Sequence, residues 1–190
     1  MPYPYGIADV PADTMIDIDE AGVSLETANR GYGKAHIATR VRQVGLYGHS
    51  DKFTILLAIS GRPGPLDRFM LLEKRPGTDV HTFAAFVANI INQIGQGTPN
   101  NQRCFTFDNL SAHKHPLVLQ LIVGSGHRYA LRAPYYLVDG PIGYIFNVVQ
   151  NYLRIRMYKI HNDEDLVRMI HEGVNSIPSF LPFFRNVRFN

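Results

Sequence analysis

Residues 15–20 read MIDIDE and residues 104–109 read CFTFDN, and these two stretches decide the fold. In the first, Ile16 and Ile18 alternate with Asp17 and Asp19, the period of a strand with distinct faces. In the second, a short apolar run stops at Asp108-Asn109, as a buried strand does on meeting a turn. Both strands therefore end in aspartate. Carboxylates at the tips of neighbouring strands are hard oxygen ligands of the kind Mg²⁺ takes, with water and substrate phosphate completing its shell. Two such ions roughly 3.5–4 Å apart activate an attacking oxygen and stabilise a leaving one in phosphoryl transfer. Strand-end aspartates also serve as turn formers and caps, and spacing alone leaves that role open.

Working outward, residues 41–47, 52–60 and 68–73 read as strands separated by Gly-His-Ser-Asp and Gly-Arg-Pro-Gly-Pro turns, which suits an antiparallel meander. The period then changes. Val80, Phe83, Ala84, Val87, Ile90, Ile91 and Ile94 fall at helical spacing, with Thr78 expected to cap the start and Gly95 the end. Residues 117–123 fit helix or strand by pattern, and Pro116 favours a helix start. Residues 127–131 read as a strand. Pro141 opens a helix striped by Ile142, Ile145, Phe146, Val149 and Leu153, and Asn162 opens another, with acidic residues in its first turn. Antiparallel strands first, then alternating strands and helices, predict an α/β domain with a central mixed sheet. Residues 1–13, with three prolines, read as a lead-in segment, and 14–190 as one domain.

A chain of 190 residues is the size of one domain and buries about 70% of the surface its unfolded form exposes. Its longest apolar runs are strand-length, which excludes a helical membrane span. The N-terminus lacks the basic and apolar regions of a secretory signal, so a secreted protein is not expected. The single cysteine, Cys104, forms no internal disulfide and reads as a small buried residue, which fits a reducing compartment, cytoplasm or nucleus. A net charge of +3 permits a nucleic-acid partner without demanding one. Positive charge gathers at Arg154, Arg156 and Lys159, at Arg128 and Arg132, and around Arg40 and Arg42. Solvated faces of ordinary elements are the alternative for each cluster.

Four segments, IDEAG at 18–22, RGYG at 30–33, FDNLSAH at 107–113 and APYYLVDGPIGYIFN at 133–147, together resemble the mariner-like and related insertion-sequence transposases of the DDE superfamily. Their order and spacing carry the resemblance, which spans roughly residues 14–176. It implies a ribonuclease-H-like fold, a Mg²⁺ (or Mn²⁺) two-metal site held by an Asp, Asp, Glu/Asp triad, DNA as partner, and a homodimer in transposition complexes. It places the first acid on Asp19, with Asp17 second choice, and the second on Asp108, within Asp-Asn-x-x-x-His ending at His113. The mariner-like branch separates the second and third acids by 34 residues, which from Asp108 leads to residue 143. The family has Pro-Ile-Glu there; this chain has Pro141-Ile142-Gly143.

The third carboxylate is therefore missing. The chain is expected to be a DNA endonuclease and strand-transfer core weakened or inactivated at Gly143, or a domesticated copy that binds nucleic acid or protein without cutting. Asp139 is the substitute acid to consider, against a role in shaping the turn before Gly140-Pro141. His113 is read as a phosphate or metal-water contact, against a local hydrogen bond. Arg154, Arg156 and Lys159 are read as DNA-backbone contacts. Tyr135 and Tyr136 are read as loop packing or as base-stacking groups. The family's N-terminal helix-turn-helix region is expected to be absent, since the first catalytic strand begins by about residue 14.

Overall fold

The computed structural model describes residues 10–28, 33–42, 51–74, 77–132 and 140–187. Among them, five strands, β1 (Met15–Val23), β2 (Phe53–Ser60), β3 (Arg68–Glu73), β4 (Cys104–Phe107) and β5 (Arg128–Leu131), form one sheet in the order β3-β2-β1-β4-β5. The first three are antiparallel neighbours, with Ile16 opposite Ser60 and Thr54 opposite Glu73. β4 runs parallel to β1 and β5 parallel to β4, with Met15 opposite Cys104 and Phe107 opposite Leu131. The described helices are α1 (Val80–Ile94), α2 (Pro116–Gly124), α3 (Pro141–Ile155), α4 (Asp163–Asn175) and α5 (Leu181–Asn186). The mixed sheet with an antiparallel first half is the one expected.

Strand alternation sorts the core into two layers. Ile16, Ile18, Phe105 and Phe107 face α1 and α2, where they bury Phe83, Val87, Ile90, Val118 and Ile122. Met15, Ile55, Leu57, Ile59 and Cys104 face α3, α4 and α5, where they meet Ile142, Ile145, Leu153, Met169 and Phe184. A sheet covered on both faces needs apolar residues at consecutive positions. β2 answers with FTILLAIS, buried from end to end. The same alternation puts Asp17, and Thr106 opposite it, on the α3 side. Cys104 is buried, as its apolar surroundings implied.

Several local expectations need adjustment. The N-cap of α1 is Asp79, whose carboxylate accepts the Thr82 N–H at 2.8 Å; Thr78 stands one residue outside the helix. Gly95 closes that helix at φ 82°, a left-handed conformation open to glycine at little cost. The ambiguous 117–123 segment is helical, entered through Pro116 at its first turn. β1 runs on past its acids to Val23, and the short α5 carries no sequence signal of its own beyond Pro182. Most of the expected 41–47 strand lies outside the described residues. Among the described residues no helix is long and apolar enough to cross a membrane.

Candidate active site

Period-2 alternation on β1 sends Asp17 and Asp19 to the α3 side, and the two differ sharply in environment. Asp17 is 1% exposed. Its Oδ1 accepts the Thr106 hydroxyl at 2.7 Å and Arg132 Nη2 at 2.6 Å, and its Oδ2 accepts the Ile142 N–H at 3.2 Å. A buried carboxylate is tolerable only with such partners. Asp19, one pleat nearer the strand end, is partly open to solvent. Its Oδ1 accepts the Glu20 N–H at 2.8 Å, and its Oδ2 accepts Arg132 Nη1 at 3.1 Å. Burial raises the Asp19 pKa, and the Arg132 charge offsets that only in part.

Arg132 thus grips both acids with one planar fork, and its Nη2 also donates to the Ile18 carbonyl at 3.0 Å. Burial alone would lower its pKa, but the Asp17 and Asp19 charges outweigh this and raise it, so the guanidinium stays charged. The Asn109 side-chain amide donates to the Arg132 carbonyl, tying the ends of β4 and β5 together. Gly140 closes over the ion pair. A Cβ there would stand 2.6 Å from Asp17 Oδ2 and 2.8 Å from Arg132 Cζ, so only glycine admits this approach.

Asp108 lies two residues beyond the last β1–β4 pair, Asp17 opposite Thr106, which sets it level with Asp19 across the parallel ladder. Its Oδ1 accepts the Leu110 N–H at 3.1 Å and lies 2.6 Å from His113 Nδ1. His113 Nε2 lies 3.2 Å from Glu20 Oε1. The imidazole is fully buried, stacked on Phe83 with centroids 4.0 Å apart. Burial works against its charge, but the two carboxylates prevail and lift its pKa to about 8. The Asp108 pKa is lowered: burial would raise it, and the hydrogen bonds from His113 and Leu110, with the charges of His113 and Arg132, outweigh that.

Asp19, Glu20 and Asp108 line one groove of about 530 Å³, which Lys52, Thr54, Phe53 and Leu110 also border. Gly143 sits in the first turn of α3, its N–H on the Gly140 carbonyl at 3.0 Å, next to the Ile142 N–H that serves Asp17. Position 143, expected to hold a third acid, therefore stands one residue from the backbone contact with Asp17 on β1 but carries no side chain. Asp139, Tyr135 and Tyr136 lie outside the described residues. His113 is not placed for a phosphate: it is buried, and both ring nitrogens are committed to carboxylates. Arg154 closes α3 and Arg156 and Lys159 follow it, so the basic stretch stands about 16 Å along the helix from Gly143. Arg156 lies over the Tyr152 ring at 3.8 Å and Lys159 over Tyr158 at 5.8 Å.

These residues fit a two-metal set poorly. Both Asp19 oxygens already accept hydrogen bonds, one of them from a guanidinium, and Asp108 Oδ1 accepts two. Among the described residues no three His, Cys, Asp or Glu side chains are arranged to hold a metal ion. Arg132 and Glu20 were not singled out from the sequence as site residues. A signal for Arg132 was there: RYAL is followed by Arg132 as CFTF is followed by Asp108, and with Phe107 opposite Leu131 these next residues come level.

No protein-family model matches the sequence, and none of the curated proteins does. Solved structures match well. The Mos1 mariner paired end complex with Mn superposes with a TM-score of 0.74 at 12% identity, over 92% of this chain and 52% of that one. The Mos1 strand transfer complex gives 0.71 at 12% identity, over 93% and 52%. The catalytic domain of Mos1 mariner transposase gives 0.61 at 12% identity, over 93% and 76%. This chain spans about half the length of the Mos1 chains in the two complexes. With its strand order and the helices on both sheet faces, the chain has the ribonuclease-H-like fold of a mariner transposase catalytic domain.

Proposed function

We propose that this protein is a mariner-type transposase core that still engages DNA but is catalytically silent as a DNA endonuclease. The observation that carries the reading is the pairing of two strand-borne acids with an empty third position. Asp19 on β1 and Asp108 just past β4 stand level and line one groove, while the first turn of α3, whose Ile142 N–H reaches Asp17, presents Gly143. In this reading Asp19 and Asp108 are the first and second acids, and Gly143 marks the lost third. Two carboxylates, each already engaged by an in-chain cation, are a weak claim on a pair of divalent ions. DNA binding falls to Arg154, Arg156 and Lys159, with two copies meeting on DNA ends as the homodimer form of the same reading.

The test is binding of labelled duplex DNA across a salt series. Affinity should be sequence-independent and fall steeply with salt. Arg154→Ala, Arg156→Ala and Lys159→Ala together should flatten the log–log slope by roughly one for each phosphate no longer neutralised. An unchanged slope in the triple variant would return these residues to an ordinary solvated face, and absence of DNA binding would defeat the reading.

A further inference from the structure

The geometry points to Arg132 as a built-in cation that takes the place of a divalent ion at the first-acid strand, so that Asp17 and Asp19 are held together without metal. This rests on the transposase-core reading for the identity of the site, and it concerns what the site now accepts. One guanidinium bridges the two carboxylates, at 2.6 Å to Asp17 and 3.1 Å to Asp19, and takes the Ile18 carbonyl as a third acceptor. That is three oxygens from one stretch of β1 gathered on one cation, the donor set a hard metal ion would recruit. The planar fork of arginine reaches several oxygens at once and never loses its charge.

The surroundings are built around the guanidinium. Asp17 is buried and receives Thr106 and Ile142 as well. Gly140 leaves out the Cβ that would strike both Asp17 and Arg132. Asn109 anchors the Arg132 backbone from the neighbouring strand end. A dication approaching Asp19 would meet a fixed positive charge at hydrogen-bonding distance and would have to displace it from a buried partner. Removing one member of a buried pair leaves the other uncompensated. Loss of Arg132 should therefore create a demand for a cation at Asp17 and Asp19.

The experiment uses Mn²⁺ alone as probe, read by loss of the free-ion electron paramagnetic resonance signal and by thermal unfolding with and without Mn²⁺. Wild type should take up no Mn²⁺ at the groove, and its Tm should be indifferent to the ion. Arg132→Gln should melt lower in metal-free buffer, regain Tm in Mn²⁺ but not in NaCl of equal ionic strength, and bind Mn²⁺ about tenfold tighter or more. Arg132→Lys keeps a charge and should remain blind to Mn²⁺. Mn²⁺ uptake by wild type matching that of Arg132→Gln would overturn the inference. So would an Arg132→Gln protein that Mn²⁺ fails to stabilise or refold, since a competent acid pair needs only a cation. DNA binding by wild type is scored separately: its absence defeats the transposase-core reading while leaving the Mn²⁺ comparison intact.

Discussion

His113 should make the stability of this domain fall between neutral and alkaline pH. Its imidazole is buried between Asp108 and Glu20, which lift its pKa from 6.5 to about 8 in the folded state. The folded protein therefore holds the proton more tightly than the unfolded chain. The resulting stability is fully present below about pH 6.5 and is lost as pH rises through about 8. That rise corresponds to about 2 kcal/mol, or roughly 4–8 °C of Tm for a chain of this length. The assay is thermal unfolding at steps from pH 6 to 9, comparing wild type with His113→Gln. Gln retains hydrogen-bonding capacity but has no proton to lose. The variant should be less stable at pH 6 and should show a flatter profile, so that the two curves converge by pH 9. Parallel curves would refute the assignment, as would a nuclear magnetic resonance titration placing the His113 pKa at or below its ordinary value. On the acid side the sign reverses. The Asp108 pKa is depressed, so the pair's contribution is lost only as pH falls through that lowered value.

Gly140→Ala should destabilise the fold by about 1–3 kcal/mol in a denaturant titration, because its Cβ cannot avoid Asp17 and Arg132 without moving a buried ion pair. Gly143→Ala should do the opposite: Gly143 lies within α3, and replacing a helical glycine gains about 0.5–1 kcal/mol. A loss of stability there would mean the first turn of α3 needs glycine for close packing, and the reading of position 143 as a vacated acid would weaken.

Much of the fold was open to reading because its signals are local. The alternation in MIDID, the helical stripe from Val80 to Ile94 and the Pro141 start each lie within one element, and each formed where expected. The Thr78 cap failed because two polar residues stand in succession, and backbone geometry selected Asp79. The site was legible only in part. Aspartates set in or just after an apolar strand can be seen in a single segment, but their partners arrive from elsewhere. Arg132 reaches Asp19 across 113 residues, and Glu20 reaches His113 across 93. Those pairings depend on the β1–β4–β5 register and on a turn that buries His113 against Phe83, neither of which any local pattern records. His113 carries the lesson most clearly. Its spacing after Asp108 marked it for attention, and only the packing shows that it serves the carboxylates rather than the solvent.

The most direct test of a silent core is nicking of supercoiled plasmid by the purified protein in Mg²⁺ and in Mn²⁺, with Asp108→Asn as the control. Wild type should bind the plasmid and leave it uncut, indistinguishable from Asp108→Asn in either ion. Metal-dependent nicking by wild type that Asp108→Asn abolishes would contradict the account, because Asp19 and Asp108 would then be working ligands despite Arg132, His113 and the glycine at 143.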